Sequence, residues 1–128
     1  MAPTEASNPP LRTNHGQRWE QHAETYLTAH GLRCVARNHH CRSGEIDLVM
    51  LAGELLVFVE VRYRRDSRHG SAAESITIHK QRRIIGAAQD FLMRHQDFAD
   101  HPCRFDVVAL HGDVNALGCD WIAGAFSA

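Results

Sequence analysis

Two apolar runs joined by a compact turn constrain the fold of this chain more than any other feature of its sequence. The runs are residues 45–51 (EIDLVML) and 55–63 (LLVFVEVRY), and the tract between them is Ala52-Gly53-Glu54. Segments of this length, rich in Val, Leu and Phe and separated by so short a tract, predict a β-hairpin. We expect this hairpin to lie at the centre of a sheet.

Helical and strand patterns lie on either side of the hairpin. Residues 16–30 carry apolar side chains at helical spacing, and residues 33–37 (RCVAR) predict a short strand. Residues 77–95 predict a second helix, residues 104–110 (RFDVVAL) another strand, and residues 119–126 a last short strand or helix. The expected inner face of the second helix consists of Ile78, Ile85, Ala88 and Leu92, with Lys80, Arg83 and Arg94 on the opposite side. The order predicts an α/β domain with a mixed sheet of four to five strands, a central hairpin and flanking helices.

Length and composition predict one cytoplasmic domain. A chain of 128 residues with 44% apolar side chains supports a single core, which we assign to residues 14–128. Residues 1–13 hold three of the four prolines and predict a disordered segment. No apolar run approaches membrane-spanning length, so no membrane partner is expected. The N-terminal residues lack a signal-peptide pattern, and none of the four cysteines forms a CxxC pair, which together predict a cytoplasmic protein with reduced thiols.

Charge is distributed unevenly along the chain. Residues 1–59 carry a net charge of -1, residues 60–94 a net charge of +4 and residues 95–128 a net charge of -4, which sum to the overall -1. A local basic surface attracts polyanions whatever the total charge. The alternative interpretation is a solvated basic face without a partner.

The hairpin carries acidic side chains where apolar ones are expected. A two-residue turn at Gly53-Glu54, with a positive φ at Gly53, sets Asp47 opposite Glu60 and Glu45 opposite Arg62. Two carboxylates facing each other across a strand pair repel, and a divalent cation between them would turn that repulsion into binding. Oxygen ligands completed by water suit Mg²⁺ or Mn²⁺.

Two alternatives remain open for these acids. A register shifted by one residue would place Asp47 and Glu60 on opposite faces, and a shift of two would make them diagonal neighbours. Glu60 and Arg62 could also form salt bridges with Glu45 and a loop arginine, without any metal.

Four segments in order carry a resemblance to a known family. GEIDLVM (residues 44–50), FVEVRYR (58–64), KQRRI (80–84) and RFDVVAL (104–110) resemble the YraN family. That family is similar to the Holliday-junction resolvase branch of the PD-(D/E)xK, restriction-endonuclease-like nucleases. The resemblance extends from about residue 16 to residue 126 and implies a restriction-endonuclease-like fold.

The resemblance also implies a catalytic site. In such nucleases an Asp and a Glu of the central hairpin hold Mg²⁺, which transfers here to Asp47 and Glu60, with the backbone carbonyl of Val61 as a third ligand. An acid of the first helix completes the site, and Glu20 fits this role, with Glu24 as its neighbouring competitor. The lysine two residues after the Glu is Arg62 in this chain. Arginine stays protonated and cannot accept a proton from water, but it can stabilise charge on the phosphate.

The activity implied is that of a divalent-metal-dependent DNA endonuclease, with branched DNA as its substrate. Six basic residues are expected to contact the DNA backbone: Arg64, Arg65, Arg68, Lys80, Arg82 and Arg83. Analogy with dimeric resolvases implies a homodimer. Two other function classes remain open, namely a nucleic-acid-binding protein that has lost hydrolysis and a protein-interaction domain that binds an acidic partner.

Three other signals are assigned structural roles. The histidines and cysteines lack zinc-finger spacing and predict core or surface positions. Trp19 and Trp121 are expected to be packing anchors. Alternation along the fourth strand places Asp106 on the same face as Arg104, which predicts an ion pair between them.

Overall fold

One mixed sheet of five strands organises the protein. The computed structural model describes residues 15–65 and 76–128, so the predicted disordered segment 1–13 and Arg68 lie outside the described residues. The strands are β1 (Arg33–His40), β2 (Glu45–Ala52), β3 (Leu55–Arg64), β4 (Cys103–Asp113) and β5 (Ala116–Phe126). They lie side by side in chain order, and only the β3–β4 pair is parallel.

Two helices cover the two faces of this sheet. Helix α1 (His15–Ala29) precedes β1, and helix α2 (Ile78–Arg94) lies between the parallel strands β3 and β4. A parallel pair needs such a crossover connection, because a tight turn can join only antiparallel strands. A 3₁₀ turn (Gln96–Phe98) follows α2. The predicted restriction-endonuclease-like α/β fold, with its central hairpin flanked by helices, is confirmed.

Each helix packs on its own apolar cluster. Ala23 and Leu27 of α1 contact Leu48, Val57 and Val59, all of which are buried. On the opposite face, a cluster that includes Val49, Phe58 and Phe105 packs against the buried side of α2, which consists of Ile84, Ala87, Ala88 and Phe91. At about 25 cal/mol per Å² of apolar surface, this two-sided burial is the main source of stability.

The inner face predicted for α2 is displaced by one position from the observed one. Ile78 is 59% exposed, and Ile85 and Leu92 lie only partly buried at the edge of the cluster. One residue corresponds to about 100° of helix rotation, so a stripe centred on Ile84 moves Ile85 to its flank. Lys80, predicted on the outer side, is half-buried beside the sheet instead.

The edge strands extend further than the sequence indicates. β1 continues past residue 37 to His40, which pairs with Glu45 of β2. β5 is a full strand that starts at Ala116. Both are edge strands, where one face and one backbone edge remain open, so polar and small residues are tolerated and the apolar pattern is weak.

The hairpin register is the predicted one. Leu48 pairs with Val59, and Ala52 pairs with Leu55 across the turn. Gly53 has a φ of +62°, which glycine adopts without the steric cost that a side chain imposes. The paired ladder stops at Leu48–Val59, and the candidate site begins there.

Neither helix is long and apolar enough to cross a membrane, within residues 15–65 and 76–128.

Candidate active site

Asp47 lies where strands β2 and β3 separate. Its Oδ2 accepts a hydrogen bond of 2.8 Å from the backbone N–H of Val61, in place of a backbone partner across the ladder. Side-chain alternation also breaks here, because Ile46 packs in the α2 cluster with Val49 while Leu48 packs in the α1 cluster. The break opens the sheet at Asp47 and gives its carboxylate access to groups from both faces.

Glu20 reaches Asp47 from helix α1. The neighbouring side chains of Asp47 and Asn38 act on its carboxyl group, Asp47 raising its pKa and Asn38 lowering it. Asn38 has a φ of +52°, a left-handed conformation that Asn tolerates better than most residues. Asn38 lies on β1, directly beside Asp47 of β2, and no motif in the sequence marks it as a site residue. Its position directly after the predicted strand 33–37 gives no signal of this role.

Glu60 reaches Asp47 from strand β3. It is only 7% exposed, and its side chain is hydrogen-bonded to that of Asp47. Lys80 Nζ, from α2, lies 3.4 Å from Glu60 Oε2. The charges of Lys80 and Arg62 both favour the ionised form of Glu60. Glu60 therefore links the acidic cluster to two cations.

Burial raises the pKa values of all three acids, and the charge of Asp47 adds to the shifts of Glu20 and Glu60. Burial, followed by the charge of Asp47, raises the pKa of Glu20 to about 8 and that of Glu60 to about 7. Burial also raises the pKa of Asp47, while the N–H of Val61 opposes the shift. Three carboxyl groups in one partly desolvated space cannot all ionise without added positive charge. Near neutral pH this cluster retains protons.

The donor chemistry of this cluster fits a hard divalent cation. Asp47, Glu60 and Glu20 offer only oxygen ligands, and their retained protons mark a deficit of positive charge. In the part of the chain that the structure describes, no three His, Cys, Asp or Glu side chains converge closely enough to hold one ion together. Mg²⁺ commonly binds through one or two carboxylates and keeps several waters, so the pair Asp47 and Glu60 is sufficient.

The two other acids considered for this site, Glu24 and Glu45, form ion pairs elsewhere. Glu24 forms a two-pronged ion pair with Arg37, with both N–O distances 2.7 Å, so Glu20 is the α1 acid at the cluster. Glu45 pairs with His40 at 2.9 Å. The β2–β3 ladder ends at the pair Leu48–Val59, so Glu45 does not face Arg62 as the salt-bridge alternative requires.

The structure describes five of the six basic residues expected to contact DNA, and their surroundings differ. Lys80 lies against Glu60, within the cluster. Arg82 and Arg83 are exposed on α2, and Arg65 is exposed directly after β3. Arg64 is half-buried, and Arg68 lies outside the described residues.

The side chains assigned structural roles form two anchoring contacts. Asp106 is fully buried and accepts two hydrogen bonds of 2.8 Å from Arg104, which confirms the predicted ion pair. It also accepts hydrogen bonds from Trp121 Nε1 and from the backbone N–H of Gly124. In the second contact, Trp19 stacks on Tyr63, with their ring centroids 4.0 Å apart.

Comparisons with known proteins identify relatives over most of the chain. The model of a family described as "Uncharacterised protein family UPF0102" matches residues 19–110. A "UPF0102 protein" of Stutzerimonas stutzeri is 51% identical over 111 residues, which cover 87% of this chain and 92% of the relative. Proteins with the same description from Alcanivorax borkumensis and Aeromonas hydrophila are 49% and 50% identical, over 90% and 91% of this chain and 93% and 88% of their own lengths. The family match spans every acid of the cluster and Lys80.

Proposed function

The chain belongs to the uncharacterised protein family UPF0102, the YraN family, and we propose that it is a divalent-metal-dependent endonuclease that hydrolyses phosphodiesters in DNA. One observation carries this proposal. At the open end of the hairpin, Asp47 of β2 interacts with Glu60 of β3 and with Glu20 of α1, and the cations Lys80 and Arg62 act on Glu60.

Asp47 and Glu60 are the proposed holders of Mg²⁺ or Mn²⁺, with the carbonyl of Val61 as an additional ligand. A cation bound there would polarise the phosphate and lower the pKa of a coordinated water. Cation binding requires ionised carboxylates, so it is coupled to the loss of the protons that Glu20 and Glu60 retain. The hydrogen bond from the N–H of Val61 fixes the orientation of Asp47 in advance.

Lys80 and Arg62 supply fixed positive charge for the transition state. Arg62 stays protonated at any working pH, so its role is electrostatic. The ammonium group of Lys80 is held beside Glu60 by a contact of 3.4 Å and is 39% exposed, so a phosphate could approach it from solvent. Preorganised cations of this kind stabilise charge that develops during the reaction.

Branched DNA is the proposed substrate class, and its support is the resemblance to Holliday-junction resolvases. A homodimer that acts on symmetric junctions belongs to the same proposal. The alternative is a non-catalytic nucleic-acid-binding protein, and Arg62 at the usual lysine position favours it. Both the endonuclease and the non-catalytic protein would bind DNA, so only a measurement of hydrolysis distinguishes these two functions.

The test is cleavage of labelled four-way-junction, flap and duplex DNA with Mn²⁺ or Mg²⁺. We expect Asp47→Asn and Glu60→Gln to abolish cleavage, and Lys80→Ala to reduce the rate by about 10²-fold. Glu54→Gln, an exposed acid in the hairpin turn, is the matched control and should cleave like the unaltered protein. DNA binding without cleavage under every metal condition would support the non-catalytic alternative.

A further inference from the structure

The first two turns of α2 carry basic residues without an acidic one. The first turn of α2 contains no acidic residue, and the helix has none before Asp90. Arg82 and Arg83 therefore have no carboxylate partner on the preceding turns of their own helix. Cations that follow one another without an acid between them form a local basic surface, which attracts polyanions.

Three of these positions share one exposed face of the helix. His79, Arg82 and Arg83 are exposed, and with Gly86 they follow the spacing i, i+3, i+4 and i+7, which brings them onto one side. The acid that follows on the helix is already engaged, because Asp90 bonds to Arg94 and His39. The positive charge of this face is therefore not neutralised by Asp90.

The turn between β1 and β2 is locked onto the same face. A side chain at Gly86 would place its Cβ 2.7 Å from the Cβ of Ser43, and one at Gly44 would place its Cβ 2.5 Å from the carbonyl oxygen of Arg83. Distances this short are not tolerated, so both glycines are required for the close approach. Cys41 and Gly44 close the turn with two backbone hydrogen bonds of 2.9 and 3.3 Å.

This packing places one more arginine beside the helix. Arg42 directly precedes Ser43 in the turn, and its side chain is exposed. The Cβ of Arg83 lies against the same turn, 3.0 Å from the Cβ position of Gly44. We name Arg42, Arg82 and Arg83 the α2 ridge.

We propose that the α2 ridge is a preformed surface for the phosphate backbone of duplex DNA, with Arg42 as a contact residue that the rigid turn positions. The choice of DNA rests on the proposed function. The ridge lies on the helix that also supplies Lys80 to the carboxyl cluster, so DNA held there adjoins the cluster. Arginines that contact phosphates position DNA without reading its sequence.

The test measures binding without hydrolysis. Fluorescence anisotropy with a labelled 20-base-pair duplex in EDTA gives the dissociation constant from 50 to 200 mM salt. For each phosphate contact removed, the slope of log K against log salt should fall by about 0.9. Arg42→Ala and Arg83→Ala should each show this loss, with affinity several-fold weaker at low salt. Arg33→Ala, an exposed arginine at the other end of β1, is the control and should retain the full slope.

A second pair of variants tests the positioning by the turn. Gly86→Ala should weaken DNA binding as Arg42→Ala does, because the new Cβ displaces Ser43. Adding Ser43→Gly removes the opposing Cβ and should restore the affinity. An Arg42→Ala protein with the slope of the control, or a protein that does not bind the duplex, would overturn the inference. Binding that depends on Arg42 but never leads to cleavage would contradict the proposed hydrolysis and leave the α2 ridge standing.

Discussion

At the scale of single residues, Asp47 is the side chain that joins the other groups of the candidate site. It accepts the N–H of Val61, adjoins Glu20 from one face of the sheet and adjoins Glu60 from the other. The register predicted from a two-residue turn at Gly53 is the observed one, and it brings Asp47 and Glu60 together, whereas the sequence alone also allowed registers shifted by one or two residues. Along β2, the alternation of side chains between the two faces of the sheet breaks at Asp47. The sequence pattern does not predict this break, which accompanies the left-handed conformation of Asn38 on the neighbouring strand.

The raised pKa values predict how stability depends on pH in the metal-free protein. The folded protein holds Glu20 and Glu60 with pKa values of about 8 and about 7, against an ordinary value of 4.5. Between these limits the folded state binds more protons than the unfolded chain, so the free energy of unfolding falls as pH rises from about 5 to 8. Glu20→Gln should make this dependence shallower and raise stability at pH 8. Urea denaturation at both pH values measures the difference.

The control for this comparison is Glu54→Gln, which should keep the slope of the unaltered protein. Histidines also titrate in this range, but they are common to all three proteins and cancel in the comparison. A slope that Glu20→Gln leaves unchanged would show that Glu20 ionises normally in the folded state.

At the scale of elements, strands were predicted more accurately than the faces of helices. β2, β3 and β4 are buried on both sides, so their continuous apolar runs identify them directly. Helix α2 has apolar residues on more than one side, including the exposed Ile78 and Met93. Its sequence therefore allows two inner faces one residue apart, and only the packing against β2 and β3 decides between them. The same rotation brings Lys80 to Glu60.

Asp106 provides a prediction for the contact between β4 and β5. It is fully buried and accepts hydrogen bonds from Arg104, Trp121 and Gly124. Asp106→Asn removes the charge that pairs with Arg104 and replaces one acceptor by a donor, so we expect a loss of about 3–5 kcal/mol in the free energy of unfolding. Asp100→Asn, at an exposed position, should change it by less than about 0.5 kcal/mol. Urea denaturation followed by tryptophan fluorescence measures both, and equal effects would contradict the structural role of Asp106.

At the scale of the whole molecule, basic and acidic segments of the sequence correspond to different elements of the fold. The basic segment 60–94 contains the end of β3 and all of α2, whereas the acidic segment 95–128 forms β4 and β5. Composition along the chain predicts this division, but it does not predict that the β1–β2 turn adds Arg42 to the basic side. The packing of this turn depends on Gly44 against Arg83 and on Gly86 against Ser43, pairs that are distant in sequence and meet only in the fold.

The central claim is that Asp47 and Glu60 hold a divalent cation. Isothermal titration calorimetry with Mn²⁺ tests it most directly, with the unaltered protein, Asp47→Asn and the control Glu54→Gln measured at the same pH. We predict saturable binding of one ion by the unaltered protein and the control, with proton release, and its loss in Asp47→Asn. Binding that survives in Asp47→Asn, or the absence of binding by the unaltered protein even with DNA present, would contradict the account.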